Sequence, residues 1–320
     1  MNPFHAAFLL LSCTLSLPMA SAVAQDIPGV RTILQAERKM VSADQDVSLR
    51  LTIDVEQSAA IPATLLTGIM LDCKVNDQPG AEVREGVVAG NVAVAAGTRI
   101  DRIITLPVAG FMAADSQDGG MTTLALQWPG LTGANCVVQI APDLSAVDID
   151  ALDLAKTKVV LVTNHGEMTL SFYPDRAPET VKNFVKLSKQ GFYDGTKFHR
   201  VIRNFMIQGG DPLTKDDAQA SRWGTGDPGY KIRGEVNDTK HVRGVISMAN
   251  SGSPDTAGSQ FFICHKDAPH LNQGYTAFGA LEGGLEVLDS IANTPCGGPQ
   301  RSRPVDNVVL ESAVILPVLK

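Results

Sequence analysis

The sequence predicts a mainly β protein of two units, a β-sandwich-like domain followed by a closed barrel with two short capping helices. Three observations point there. Short runs of strand periodicity recur along the chain, while helical spacing shows in only two short stretches of the second half. A length of 320 residues accommodates about two domains, each able to bury a core. The charge is uneven: residues 25–155 carry 8 Lys and Arg against 17 Asp and Glu, whereas residues 156–320 carry 19 against 17. The net charge of −7 argues against sequence-independent nucleic-acid binding, and no nucleic-acid partner is expected. A hydrophobic content of 44% excludes disorder, and the 29 glycines follow no collagen period.

Residues 1–24 read as a signal peptide. They contain no Asp, Glu, Lys or Arg, residues 6–17 are almost continuously apolar, and Ala22-Val23-Ala24 fits the small-x-small cleavage pattern. The run is shorter than the roughly 20 apolar residues that span a bilayer, and no later segment reaches that length. No membrane span is therefore expected. A lipid anchor at Cys13 is disfavoured, because apolar residues continue past it to Leu17 where a mature lipoprotein turns polar. The mature chain is expected in an exported compartment, periplasmic or extracellular.

Residues 25–140 form the β-rich domain. Residues 47–55 alternate apolar and polar side chains, the period of a strand with one buried face. Similar runs at 65–75, 99–106, 121–128 and 136–140 are separated by Gly, Pro, Asn and Asp, which suggests an antiparallel sandwich. This half shows no catalytic constellation, and its partner is not readable. Cys73 and Cys136 both fall in strand-like stretches; a bridge between them and two separate buried thiols are both open readings. No EF-hand spacing, Cys-x-x-Cys pair or Cys/His cluster occurs, so no metal is expected. Residues 141–155 are Asp-rich and read as an acidic linker.

The second unit, residues 156–320, opens with a hairpin signal, strands at 159–163 and 168–172 around Asn164-His165-Gly166-Glu167. Residues 178–187 place Val181, Phe184, Val185 and Leu187 at helical spacing, with Pro178 at the start and Gly191 past the end. Strands follow at 198–202 and 260–264, a second helix at 285–291 and a last strand at 308–315. Such a set closes naturally into a capped barrel.

The chemistry concentrates in Phe198-His199-Arg200-Val201-Ile202-Arg203-Asn204-Phe205-Met206-Ile207-Gln208-Gly209-Gly210-Asp211. Period two puts Phe198, Arg200 and Ile202 on one face, and Met206 and Gln208 on one face of the returning segment. An Arg on a solvated sheet edge would explain this string taken alone. The string, however, resembles the signature of the cyclophilin-type peptidyl-prolyl cis-trans isomerases. The likeness continues in order through Met248-Ala249-Asn250, Gly258-Ser259-Gln260-Phe261-Phe262-Ile263, His270-Leu271 and Phe278-Gly279, and covers about residues 156–320.

The resemblance implies an eight-stranded antiparallel barrel with a helix at each end and a hydrophobic groove outside. It implies a prolyl isomerase that needs no cofactor and acts on proline-containing polypeptides, with Arg200 catalytic. Phe205, Met206, Phe262 and Leu271 would form the proline pocket. Gln208, Ala249, Asn250 and Gln260 would hold the peptide backbone or lie beside it, and Tyr275 stands where many members have a groove His. His270 stands where the best-known eukaryotic members carry Trp, which weighs against strong cyclosporin binding. Ser253 looks inserted, Arg203 replaces a frequent Pro, and residues 214–223 look like an extended loop. A second reading is a module that binds proline segments, targeted by its N-terminal domain, with catalysis incidental.

Other motifs resolve to plainer roles. Gly224-Thr225-Gly226-Asp227-Pro228-Gly229 matches a dinucleotide fingerprint by letter, but Pro228 denies it the following helix. Cys264-His265 are strand neighbours facing opposite ways, which favours a buried thiol over a nucleophile. His199 points away from the Arg200 face and reads as a hydrogen-bonded core histidine. Asn237-Asp238-Thr239 is a bare glycosylation sequon.

Overall fold

Alternating side chains fold the first unit into two facing sheets. The computed structural model describes residues 26–37, 40–41, 46–108, 122–142, 144, 147–298 and 300–320. The segment read as a signal peptide, its expected cleavage site and Cys13 lie outside these. The elements of the first unit are β1 (Val30–Ala36), β2 (Met40–Val41), β3 (Asp46–Val55), β4 (Ala59–Pro62), α1 (Ala63–Thr67), β5 (Ile69–Val75), β6 (Gln78–Glu85), β7 (Asn91–Val94), β8 (Thr98–Pro107), β9 (Thr122–Gln127) and β10 (Asn135–Ile140). One sheet runs β1-β3-β8 and the other β2-β10-β9-β5-β6, with β4 and β7 paired separately. Leu34, Leu49, Leu51, Ile53 and Ile104 of the first sheet share one buried core with Leu71, Leu124, Leu126, Val138 and Ile140 of the second. That is a sandwich.

The expected strand at 65–75 starts only at Ile69. Leu65 sits in α1 and is buried against the core from a helical turn. Its apolar run marks burial, which strand and helix share.

The register decides between the two readings of the cysteines. Cys73 of β5 and Cys136 of β10 both pair with Leu126 of β9, one from each side. Two strand spacings separate them by roughly 9.6 Å, beyond the ~7 Å Cα reach of a disulfide. Both are free thiols. Burial pushes each up to about 11.

The second unit contains β11 (Lys158–Thr163), β12 (Gly166–Phe172), α2 (Pro178–Lys189), β13 (Thr196–Lys197), β14 (Arg200–Ile202), β15 (Met206–Gly209), β16 (Val245–Met248), β17 (Phe261–Cys264), β18 (Ala277–Gly283), α3 (Leu285–Ala292), β19 (Cys296–Gly297), β20 (Arg303–Pro304) and β21 (Val309–Leu316). The main sheet runs β13-β21-β11-β12-β18-β16-β17-β15-β14. Only Phe198 and His199 separate β13 from β14. Lys197 pairs with Val309 of β21, and Arg200 pairs with Gln208 of β15. Counted as one broken strand, residues 196–202 join both ends of the sheet, and the expected eight-stranded antiparallel barrel is closed.

Phe184 of α2 anchors the barrel core, its ring 5.0 Å from Tyr193, 5.3 Å from Phe278 and 5.5 Å from Phe261. The preceding Ala177 offers the helix no side-chain cap. Glu235 supplies one from a distant loop, accepting from the Glu179 and Thr180 N–H groups at 3.1 and 2.8 Å. A carboxylate at a helix N-terminus is favoured by both hydrogen bonding and the dipole.

Described residues of the stretch read as an acidic linker lie against the barrel. Val147, Leu152 and Leu154 pack on its core, and Leu152 bridges to Leu319. The two units meet where Met40 and Ala141 bury Val160, Val162 and Val314.

Candidate active site

Strand register builds a row of side chains across the outer face of the barrel. Arg200 of β14 pairs with Gln208 of β15, Gln208 with Phe262 of β17, and Phe262 with Ser247 of β16. The next row holds Ile202, Met206 and Cys264. Val201, between Arg200 and Ile202, points inward and is buried in the core, so the period of two fixes which face carries the charge.

Arg200 is half-buried. Its Nη1 donates to Gln208 Oε1 at 3.3 Å and approaches Met206 Sδ at 3.7 Å. Gln208 Nε2 donates to Gln260 Oε1 at 3.0 Å, and Gln260 Nε2 donates to the Gly226 carbonyl at 2.8 Å. This chain of amides runs in one direction and orients the guanidinium. A side chain at Gly226 would fall on the Asp211 carboxylate, so glycine is needed where that carbonyl approaches. Burial lowers the Arg200 pKa and Tyr275 opposes the shift; an arginine remains cationic throughout ordinary pH.

Beside this chain lies a cavity of about 150 Å³ lined by Arg200, Phe205, Met206, Gln208, Ala249, Asn250, Phe262, Leu271 and Tyr275. Of the candidate residues only Gln260 is absent from that lining. It sits behind Gln208 and lines a neighbouring polar groove of about 220 Å³ with Ala249 and Asn250. Met206, Phe262 and Leu271 give the pocket a buried apolar floor. The Tyr275 ring stands edge-on to Phe262 at 5.4 Å, and His270 lies over Phe205 at 5.3 Å. Asn250 Nδ2 donates to the Gly274 carbonyl, joining the two loops at the rim.

The supporting roles of two histidines escaped the sequence reading. His241 is buried behind the pocket, its ring stacked on Phe262 at 6.0 Å. Its nitrogens meet Asn272 Oδ1 at 3.1 Å and Ser247 Oγ at 3.0 Å, linking the loop after Leu271 to β16. The signal was Ser247 inside the apolar run Val-Ile-Ser-Met, a buried hydroxyl that requires a partner. His265 accepts the Asn204 N–H at 2.9 Å and meets Asp289 at 3.0 Å. It thereby ties the turn between β14 and β15, where Asn204 has φ +60°, to α3.

His199 departs from its expected role. It is buried as expected, yet among the described residues its ring nitrogens, enclosed from solvent, meet no partner beyond the Lys197 backbone. Burial lowers its pKa, with Asp211 opposing. Cys264 is fully buried and its thiol is pushed up to about 12, which leaves no thiolate for nucleophilic work. No helix follows the 224–229 loop, so it lacks the geometry of a dinucleotide site. Among the described residues no group of three His, Cys, Asp or Glu side chains is placed to hold a metal, and no helix is long and apolar enough to cross a membrane.

Residues 158–315 match the family described as cyclophilin type peptidyl-prolyl cis-trans isomerase/CLD. A peptidyl-prolyl cis-trans isomerase of Synechococcus elongatus is 50% identical over 139 residues, which are 43% of this chain and 90% of that protein. One of Helicobacter pylori is 46% identical over 153 residues, covering 46% of this chain and 88% of that protein. A peptidyl-prolyl cis-trans isomerase-like 2 of Cryptococcus neoformans is 45% identical over 165 residues, but only 28% of its own length is covered. A solved cyclophilin of Cryptosporidium parvum, crystallised with the dipeptide Ala-Pro, aligns with 49% of this chain and 98% of its own, at 35% identity and a TM-score of 0.45.

Proposed function

The chain belongs to the cyclophilin-type peptidyl-prolyl cis-trans isomerases, and from that premise we propose that Arg200 carries catalysis on X-Pro bonds seated in the 150 Å³ pocket. Rotation about a peptide C–N bond faces a barrier of about 18–20 kcal/mol because resonance gives it double-bond character. X-Pro bonds populate both isomers yet exchange over tens to hundreds of seconds. A catalyst must seat the ring, leave the preceding carbonyl free to swing, and favour the twisted state. Twisting returns the lone pair to the prolyl nitrogen, so a fixed cationic donor binds that state better than either planar one.

The observation that carries this reading is the juxtaposition of the oriented Arg200 guanidinium with the Met206, Phe262 and Leu271 floor. The floor suits an apolar pyrrolidine ring, and excluding water strengthens the adjacent charge. Gln208, Asn250 and the Ala249 backbone supply polar groups for the flanking peptide. Replacing Arg200 with Ala should lower kcat/KM for prolyl isomerisation by on the order of 10²–10³, with the circular dichroism spectrum unchanged. Undiminished turnover in a folded R200A protein would remove the residue from its role.

We further propose that the substrates are folding or exposed polypeptides of an exported compartment. The uncharged apolar segment before Ala22-Val23-Ala24 supports this. Mass spectrometry of the chain from fractionated cells should find a mature N-terminus at Gln25 outside the cytoplasm. An intact Met1 terminus confined to the cytoplasm would refute it.

A further inference from the structure

A second cavity, of about 350 Å³, shares Arg200 and Gln208 with the proline pocket and is otherwise walled mainly by His199, Trp223, Gln300 and Arg303. Its lining holds two guanidiniums and no carboxylate. Asp211 accepts from the Leu213 and Gly224 N–H groups, and Asp217 pairs with Lys197 at 2.7 Å. Arg303 is held but not neutralised: it lies 4.9 Å over the Trp223 ring and donates to the Ala220 carbonyl at 2.6 Å. His199, only 8% exposed, contributes to the inner wall with its ring nitrogens closed off from solvent.

We propose that this cavity is a specificity subsite for an acidic side chain next to the proline of a bound polypeptide, its carboxylate received by Arg303. The proposal rests on the isomerase reading, since the two cavities meet at Arg200 and Gln208. Adjacent Cα atoms are about 3.8 Å apart, so a side chain neighbouring the seated proline comes within reach of the second cavity. The two subsites differ in kind, one apolar and sized for a ring, the other larger and rich in donors.

The test uses the full chain and capped peptides acetyl-Ala-Xaa-Pro-Ala-amide and acetyl-Ala-Pro-Xaa-Ala-amide, with Xaa either Glu or Gln. Cis-trans exchange is followed by NMR at low and high salt. At one of the two positions Glu should be preferred over Gln by about fivefold in kcat/KM, and 0.5 M NaCl should shrink the preference. Arg303→Gln should bring the ratio to about one, and Arg303→Glu should invert it. A ratio within twofold at both positions, in protein that turns over the Gln peptides, overturns the subsite while leaving the isomerase reading standing. So does a preference that survives in R303Q. Should either variant fail to fold, the wild-type ratio and its salt dependence decide alone. Absence of turnover on every peptide overturns the isomerase reading and this subsite with it.

Discussion

Arg200 gains its direction from a hydrogen-bond chain that leaves the proline pocket beyond Gln208. Gln260 stands behind Gln208, and its amide passes orientation from the Gly226 carbonyl to the guanidinium. Replacing Gln260 with Leu keeps the volume and breaks the chain at its middle. The expected result is about a tenfold loss in kcat/KM, the worth of one hydrogen bond of ~1.4 kcal/mol in the transition state, with thermal stability little changed. A variant as active as the parent would show that Arg200 needs no such guide. Much of this row was legible beforehand, because period two alone puts Arg200 on the face opposite Val201. That Arg200 faces Gln208, and Gln208 faces Phe262, depends on pairing between strands far apart in the chain, which no local pattern encodes. Leu271 and Tyr275 come from loop segments without periodicity and entered only through the family likeness.

Among the elements, α2 shows how a helix signature can be right while its cap lies elsewhere. Pro178 and Gly191 bracket it as expected, and Gly191 has φ +62°. The first-turn N–H groups are satisfied by Glu235, 55 residues beyond Thr180, which also accepts from the Thr180 hydroxyl at 2.7 Å. Glu235→Ala should cost about 1 kcal/mol of stability, read as a lower urea midpoint at unchanged slope. A midpoint matching the parent would mean that water caps the helix equally well. The strands of the sandwich were readable where one face is buried and the other wet, as in β3. They were unreadable in β4, β6 and β7, which are short or mostly exposed at the rim and so lack a clean alternation. The β13–β14 break has no sequence mark either, and it turns Phe198, expected on the Arg200 face, into the barrel core beside Val201.

At the scale of the molecule, two buried histidines tie stability to pH. Both have an ordinary value of 6.5, and burial lowers each in the fold. Above 6.5 neither is charged in either state and their stabilising share is complete. As pH falls through 6.5 the unfolded chain takes up protons that the fold resists, so stability drops until the folded-state values are passed. The carboxylates lowered by hydrogen bonds, such as Asp289, have an ordinary value of 3.8 and act in a more acidic window. Urea midpoints should therefore decline between pH 7 and 5, and His241→Gln should flatten part of that decline. An identical slope in parent and variant would place the titration elsewhere.

The strand that closes the barrel also bears its cation. Lys197 fastens to β21, near the end of the chain, and three positions on Arg200 fastens to β15. Those residues act as the clasp of a hoop: if the C-terminal band slips, the seam parts beside the guanidinium and its aim is lost. Turnover thus reports the integrity of the whole ring, and a loosened intermediate would be a silent one.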